Sequence, residues 1–200
     1  VGHLYPVLAE TARHIGNPRV RAVASLGGNL LHADPSQDLP PVLLTLGAEM
    51  VIATDSGEQV EPLTPSFFVD YMQTAIQPGA VLKALRLPPP PPGLRAAYRK
   101  FTPRSQDDFA TVGVAAAVER SADGTVRSAR LALSGVGPTP IWVEAAAGWT
   151  GIRPSAQDIA ELADAAAAAA DPWDDLRGSA EYKRAMARVF TRRVLEEVLR

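Results

Sequence analysis

The run PPPPPG, Pro88–Gly93, divides the chain into two patterns. Five consecutive prolines lock φ and offer no N–H, so this segment forms neither helix nor central strand and runs extended and stiff. Downstream, AAYRKFT, FATVGVAAAVERS and TVRSARLALSGVG read as three strands, the last two joined by a hairpin turn at Ala122-Asp123-Gly124. Three helical stretches follow, Pro140–Trp149, Ser155–Ala170 and Ser179–Leu199, with Ser155 and Asp158 spaced as a capping box. Upstream, LYPVLAETARHI places Leu4, Val7, Leu8, Ala12 and Ile15 on one helical face, and Gly16-Asn17-Pro18 ends that helix. RVRAVAS reads as a short strand entering a glycine turn, and LPPVLLTLGAEM as a helix opening on its prolines. Val51–Thr54 and Gln59–Pro62 read as strands about the turn Asp55-Ser56-Gly57. PSFFVDYMQTAI is expected to be a short helix or loop with an aromatic face, and AVLKALRLP a strand. The expectation is an α+β fold on each side of the linker.

Composition narrows the function. Two hundred residues suffice for one ordinary domain or two small ones with a real core. A net charge of −2 offers no concentrated basic surface for nucleic acid. The absence of cysteine excludes a disulfide framework, a thiolate nucleophile, a cysteine zinc site and an iron–sulfur cluster ligated by this chain. It suits a reducing compartment. No window reaches the ~18 apolar residues of a membrane span. The N-terminus lacks the basic and apolar regions of a signal peptide. The chain opens on a helix-like segment without Met, as a fragment, a processed chain or a domain would.

The chemistry-bearing candidates begin with SLGGN, Ser25–Asn29. Gly27 and Gly28 can take positive φ and, lacking Cβ, let backbone N–H groups approach a phosphate closely. Taken alone, GGN reads more simply as a strand-to-helix connection. It is neither a Rossmann GxGxxG nor a Walker loop, because no Lys-Ser or Lys-Thr follows. Asp34 and Asp38 are four apart with His32 nearby, but no second acidic or histidine cluster completes a metal site. A cap for Asp34 and a helix N-terminal acid for Asp38 is the simpler reading, with a ribose or flavin hydrogen bond to Asp38 the functional alternative. In YRKF, period-two alternation puts Tyr98 and Lys100 on one face and Arg99 and Phe101 on the other. Lys100 could place its ammonium beside an anionic cofactor. No GxSxG accompanies the three histidines, which removes the case for a serine hydrolase. Trp142, Trp149 and Trp173 are expected to pack in the core, and Arg184, Arg188, Arg192 and Arg193 to form a solvated or partner-facing stripe.

Four ordered segments together carry a resemblance. They are RVRAVASLGGNLLHADPSQDLPPVLLTLGAEM (19–50), YRKF with RSQDDFATVGVAAAV (98–101 and 104–118), LALSGVGPTPIWV (131–143), and DDLRGSAEYKRAMARVFTRRVL (174–195). The chain resembles the FAD-binding medium subunit of molybdenum hydroxylases, the group of aerobic carbon monoxide dehydrogenases and xanthine dehydrogenases. The resemblance implies that residues 1–92 form the second subdomain of a PCMH-type FAD-binding domain. Residues 94–200 would form a CO dehydrogenase flavoprotein C-terminal domain, a three-stranded antiparallel sheet plus helices. A first FAD subdomain with an AGGT-type loop has no counterpart in these residues.

By the same resemblance, Ser25, Leu26, Gly27, Gly28 and Asn29 correspond to the loop on the FAD pyrophosphate. Asp38 corresponds to an acid bonded to the flavin, Leu82 to an apolar neighbour of the cofactor, Lys100 to a lysine near it, and Ile15 to a residue lining the adenine end. Arg21-Ala22 stands where many bacterial members have Arg-Asn. The implied role is electron transfer within an oxidoreductase. Electrons would pass from the molybdenum cofactor of a large molybdopterin subunit, through [2Fe–2S] clusters of a small iron–sulfur subunit, to FAD and on to quinone, NAD or oxygen. Such a chain is expected in a cytoplasmic hetero-oligomer, free or peripheral to the inner membrane face, with no nucleic-acid partner and no membrane span. The alternative is a non-catalytic scaffold of the same complex that has lost flavin binding.

Overall fold

The computed structural model describes residues 2–105 and 107–200. The first half opens with four helices: α1 (Pro6–Arg13), α2 (Pro18–Val23), α3 (Leu26–His32) and α4 (Leu39–Leu46). Strands β1 (Glu49–Thr54), β2 (Gly57–Pro62) and β5 (Val81–Arg86) form an antiparallel sheet in the order β2-β1-β5. Between them lie a 3₁₀ turn at Pro65–Phe67 and the small ribbon β3 (Phe68–Asp70) and β4 (Gln73–Thr74).

Segment Arg19–Ser25, expected as a strand, is instead α2 and its C-terminal boundary. Local chemistry explains the difference. The Asn17 side chain accepts hydrogen bonds from the Arg19 and Val20 amides, and Pro18 occupies the first turn. These are strong helix-start signals, and α2 buries no residue against which a strand period could be set. Arg21 then donates from Nη1 to the carbonyls of Ile15 and Gly16, both at 2.7 Å.

The expected glycine turn is likewise the first turn of α3. Ser25 caps it, accepting from the Gly28 amide at 3.0 Å. Neither Gly27 nor Gly28 takes positive φ. The missing Cβ matters at Gly28, where one would stand 2.9 Å from Ser25 Oγ, whereas one on Gly27 would make only van der Waals contact with Leu82 of β5. Helix α4 is apolar all round and every residue of it is buried. It ends at Gly47 in the left-handed region, and a Cβ there would meet the Arg130 guanidinium at 2.6 Å.

Beyond the proline run, β6 (Leu94–Phe101), β7 (Val112–Arg120), β8 (Val126–Ser134) and the two-residue β9 (Ile141–Trp142) pair antiparallel in that order. The three long strands match the expected sheet, and β9 adds a short edge. The stretch Pro140–Trp149 thus begins as strand rather than helix. Its β-branched and aromatic start, Ile141-Trp142, pairs with β8 before a 3₁₀ segment takes over at Glu144–Trp149. Helices α5 (Ala156–Ala169) and α6 (Ala180–Val198) cover one face of the sheet. Ser155 and Asp158 form a reciprocal capping box at the start of α5. Trp149 is buried, whereas Trp173 is half exposed and stacks edge-on against Tyr71, so the packing expectation fails for it. The arginines of α6 are exposed and mostly paired: Arg184 to Asp171, Arg188 to Asp164, Arg192 to Glu196.

Strand β7 is buried through most of its length because both faces are covered. Val112, Val114, Ala116 and Val118 join the core under α5 and α6. Ala115 and Ala117 join a second core containing α1, α4 and the first sheet. The proline run lies across this junction, with Tyr5 Oη donating to the Pro88 carbonyl at 2.5 Å.

Candidate functional site

A cavity of about 530 Å³ opens where the C-terminal end of α1, helices α2 and α3, the loop before α4, strand β6 and residues 107–109 meet. Its volume falls in the range of small-molecule sites, ~300–1,000 Å³. Ile15, Ser25, Gly28, Asn29, Asp38 and Lys100 all line it. Leu26, Gly27 and Leu82 do not. Leu26 is exposed outside the cavity, and Leu82 supports Gly27 from behind. His32 lines the cavity, whereas Asp34 is used locally, its Oδ1 accepting from the Ser36 amide. Among the described residues no cluster of three or more His, Cys, Asp or Glu could hold a metal.

The inner wall is a buried polar network. Asp38 sits at the start of α4, yet its side chain does not cap that helix. The carboxylate turns toward β6 instead. Tyr98 Oη donates to Oδ1 at 2.6 Å and Lys100 Nζ to Oδ2 at 3.0 Å. Lys100 also donates to the His14 carbonyl at 2.8 Å, and its side chain is only 4% exposed. The alternation read in YRKF explains how one strand supplies both donors. Residues 98 and 100 face Asp38, while Arg99 pairs with Glu197 and Phe101 packs on Phe190.

Burial pushes the Asp38 carboxyl upward from its ordinary value. The charge of Lys100, the hydrogen bonds from Tyr98 and Lys100, and the charge of His14 pull the other way. The Tyr98 phenol is pushed well up, by burial first and by the Asp38 charge second, so it acts as a donor. Among the described residues, two buried acceptors beside this network have no partner: Gln37 Oε1 and Asn29 Oδ1. Leaving such groups unpaired costs about 1–3 kcal/mol each. Both residues line the cavity, so a ligand offering N–H or O–H donors there recovers that cost.

The rim is apolar and open. Val20, Val23 and Phe109 are exposed, Val23 at 88%. The loop bearing Asp38 is braced from the other half of the chain. Gly135 N donates to the Pro35 carbonyl at 2.7 Å, and Arg177 Nη1 to Ser36 Oγ at 2.8 Å. Sequence reasoning did not single out Gln37, Phe109 or Arg177. Their place depends on tertiary contacts.

Residues 1–90 match the family described as the FAD binding domain in molybdopterin dehydrogenase, and residues 96–198 match the CO dehydrogenase flavoprotein C-terminal domain. The chain is 34% identical over 195 residues to the carbon monoxide dehydrogenase medium chain of Afipia carboxidovorans, covering 96% of this chain and 66% of that one. It is 33% identical to the 6-hydroxypseudooxynicotine dehydrogenase complex subunit alpha of Paenarthrobacter nicotinovorans, covering 97% and 65%. The fold superposes on a chain of the carbon monoxide dehydrogenase from Hydrogenophaga pseudoflava with a TM-score of 0.92 at 35% identity, covering 98% of this chain and 68% of that one. The quinoline 2-oxidoreductase from Pseudomonas putida 86 gives 0.88 at 28%, covering 100% and 68%. The chain thus spans about two thirds of the length of the relatives it matches.

Proposed function

Since this chain belongs to the flavoprotein medium-chain family of the molybdenum hydroxylases, we propose that its cavity is one wall of an FAD site in an electron-transfer subunit. The observation that carries this reading is the pair of buried, unpartnered amide oxygens, Gln37 Oε1 and Asn29 Oδ1, beside the Asp38 carboxylate. FAD carries ribose and ribityl hydroxyls and a ring N–H that can donate to such a wall, and its flavin supplies electron transfer when bound.

The residues of this chain bind and orient. Ser25 caps the first turn of α3 and fixes Gly28 beside the cavity, where a pyrophosphate would lie against the Ser25, Gly28 and Asn29 wall. Asp38 accepts from the flavin, while Lys100 balances its charge without reaching into solvent. Ile15 and the valines of α2 would give an apolar surface to the adenine end, and Leu82 packs behind Gly27 in the first turn of α3. Residues 1–92 act as the flavin-side domain and 94–200 as the domain that braces it, through Arg177 and Gly135.

In this proposal, electrons arrive from the [2Fe–2S] clusters of an iron–sulfur small subunit, which receives them from a molybdopterin large subunit. They leave to quinone, NAD or oxygen. No helix among the described residues is long and apolar enough to cross a membrane.

The test is flavin content. The chain co-expressed with its two partner subunits should purify with FAD, read from visible absorbance. A complex that assembles without flavin would support the scaffold reading instead, to which the exposed Val20, Val23 and Phe109 rim is suited. The isolated 200 residues should bind added FAD weakly, because the cavity is open on that rim. Micromolar or tighter binding in a fluorescence-quenching titration would overturn the one-wall reading.

A further inference from the structure

We infer that Tyr98 is the positioning residue that fixes the direction of the Asp38 carboxylate at the cavity wall, an inference resting on the flavin reading above. Tyr98 is 8% exposed, and its hydroxyl occupies a slot between Asp38 and strand β7. The slot exists because residue 113 is glycine: a Cβ there would stand 2.5 Å from Tyr98 Oη and overlap Ser134 Oγ. Lys100 supplies the balancing charge, but it divides its ammonium between Asp38 and the His14 carbonyl on a flexible stem. Tyr98 has a rigid ring with two torsions and spends its one O–H on Asp38 Oδ1. The two donors grip opposite oxygens from the same face of β6. Tyr98 sets the plane of the carboxylate, whose residue lines the cavity.

The charged and titratable groups around Asp38 are Lys100 and Tyr98 of β6 and His14 after α1. Asp34 lies in its own loop, with His32 of α3 and Asp107 and Asp108 around the cavity. Of these, Tyr98 alone is a neutral donor locked in one place. Removing its hydroxyl takes a hydrogen bond from the ionised form of Asp38 and leaves every formal charge intact.

The experiment uses Tyr98→Phe, which keeps the ring, with two readouts. In the 200-residue chain, the Asp38 side-chain carboxyl is followed by carbon NMR as pH is raised, and its midpoint should move upward. In the flavin-loaded complex, the flavin reduction midpoint should rise, because the nearby anion is less firmly held. In an Asp38→Asn background the same change should shift the flavin midpoint no further, which separates a path through Asp38 from general loosening. Gly113→Ala, which displaces the hydroxyl without removing it, should reproduce both shifts if Tyr98→Phe folds poorly. An unmoved Asp38 midpoint overturns the inference whatever the flavin does. A shifted Asp38 with an unmoved flavin midpoint overturns it as well, leaving the flavin site intact. A wild-type complex without flavin overturns the site reading itself, an outcome the first readout does not depend on.

Discussion

The two faces of strand β7 are built from different stock. Toward α5 and α6 it presents Val112, Val114, Ala116 and Val118, which fill space in a core with Leu131, Leu162 and Leu195. Toward α4 and the cavity it presents Gly113, Ala115 and Ala117, which leave space. Into that space go a phenol, an ammonium and a carboxylate. One face is a packing surface whose side chains can be exchanged for others of like volume. The other is a clearance, where small residues admit a polar network that the chain would be easier to fold without.

This contrast can be pressed hardest at Lys100. Lys100→Met leaves Asp38 buried without its cation and should cost about 3–5 kcal/mol at neutral pH. Its sign with pH is distinctive. Asp38 already titrates above its ordinary value, so its contribution is most favourable below the ordinary carboxylate range and is lost as pH rises through the folded midpoint. Removing Lys100 pushes that midpoint higher, so the deficit should shrink as pH falls. Urea denaturation of wild type and variant at acid and neutral pH checks this, and a deficit that does not change with pH would sink it.

On the packing side, Leu131→Ala empties a fully buried position and should cost about 3 kcal/mol, alike at both pH values, by the same measurement. Asp38 should titrate as in the wild type. If it does not, the two faces are less separate than their residues imply.

Smaller effects belong to the boundaries of the two regions. Ser25→Ala removes the α3 cap and should cost about 1 kcal/mol, and in the flavin-loaded complex it should weaken FAD retention out of proportion to that loss. Ser155→Ala, at the start of α5 on the packing side, should cost a similar amount and leave flavin untouched. Smallest of all, Arg188→Ala breaks an exposed pair with Asp164 and should shift stability by less than about 1 kcal/mol, an effect that vanishes in high salt.

The packing side was the readable side. The alternation of β6 to β8, the capping box of α5 and the apolar rhythm of α6 are local patterns, and each predicted its element. Alternation in YRKF even assigned Tyr98 and Lys100 to one face. The cavity side was harder because its elements are short and exposed. In Arg19–Ser25 the alternation of Val20, Ala22 and Ala24 imitates a strand, while the decisive signal was the two-residue cap Asn17-Pro18. Gly27 and Gly28 look like turn residues, and only the Ser25 hydroxyl shows that they begin a helix. Gln37 and Trp173 mislead in opposite directions: a polar residue buried by its loop and an aromatic left half in solvent. Neither burial follows from neighbours in sequence.

The proline run marks a border in composition, and the shared strand β7 denies that it is a seam. Arg130 reaches across to the Thr45 carbonyl, and α4 lies against β7 and β8. Heat or denaturant that loosens one half strips the other of a core wall, so the two should lose structure in a single cooperative transition. Severing the chain at Pro90 should yield two partially collapsed pieces, each needing the other before its amides resist exchange with solvent.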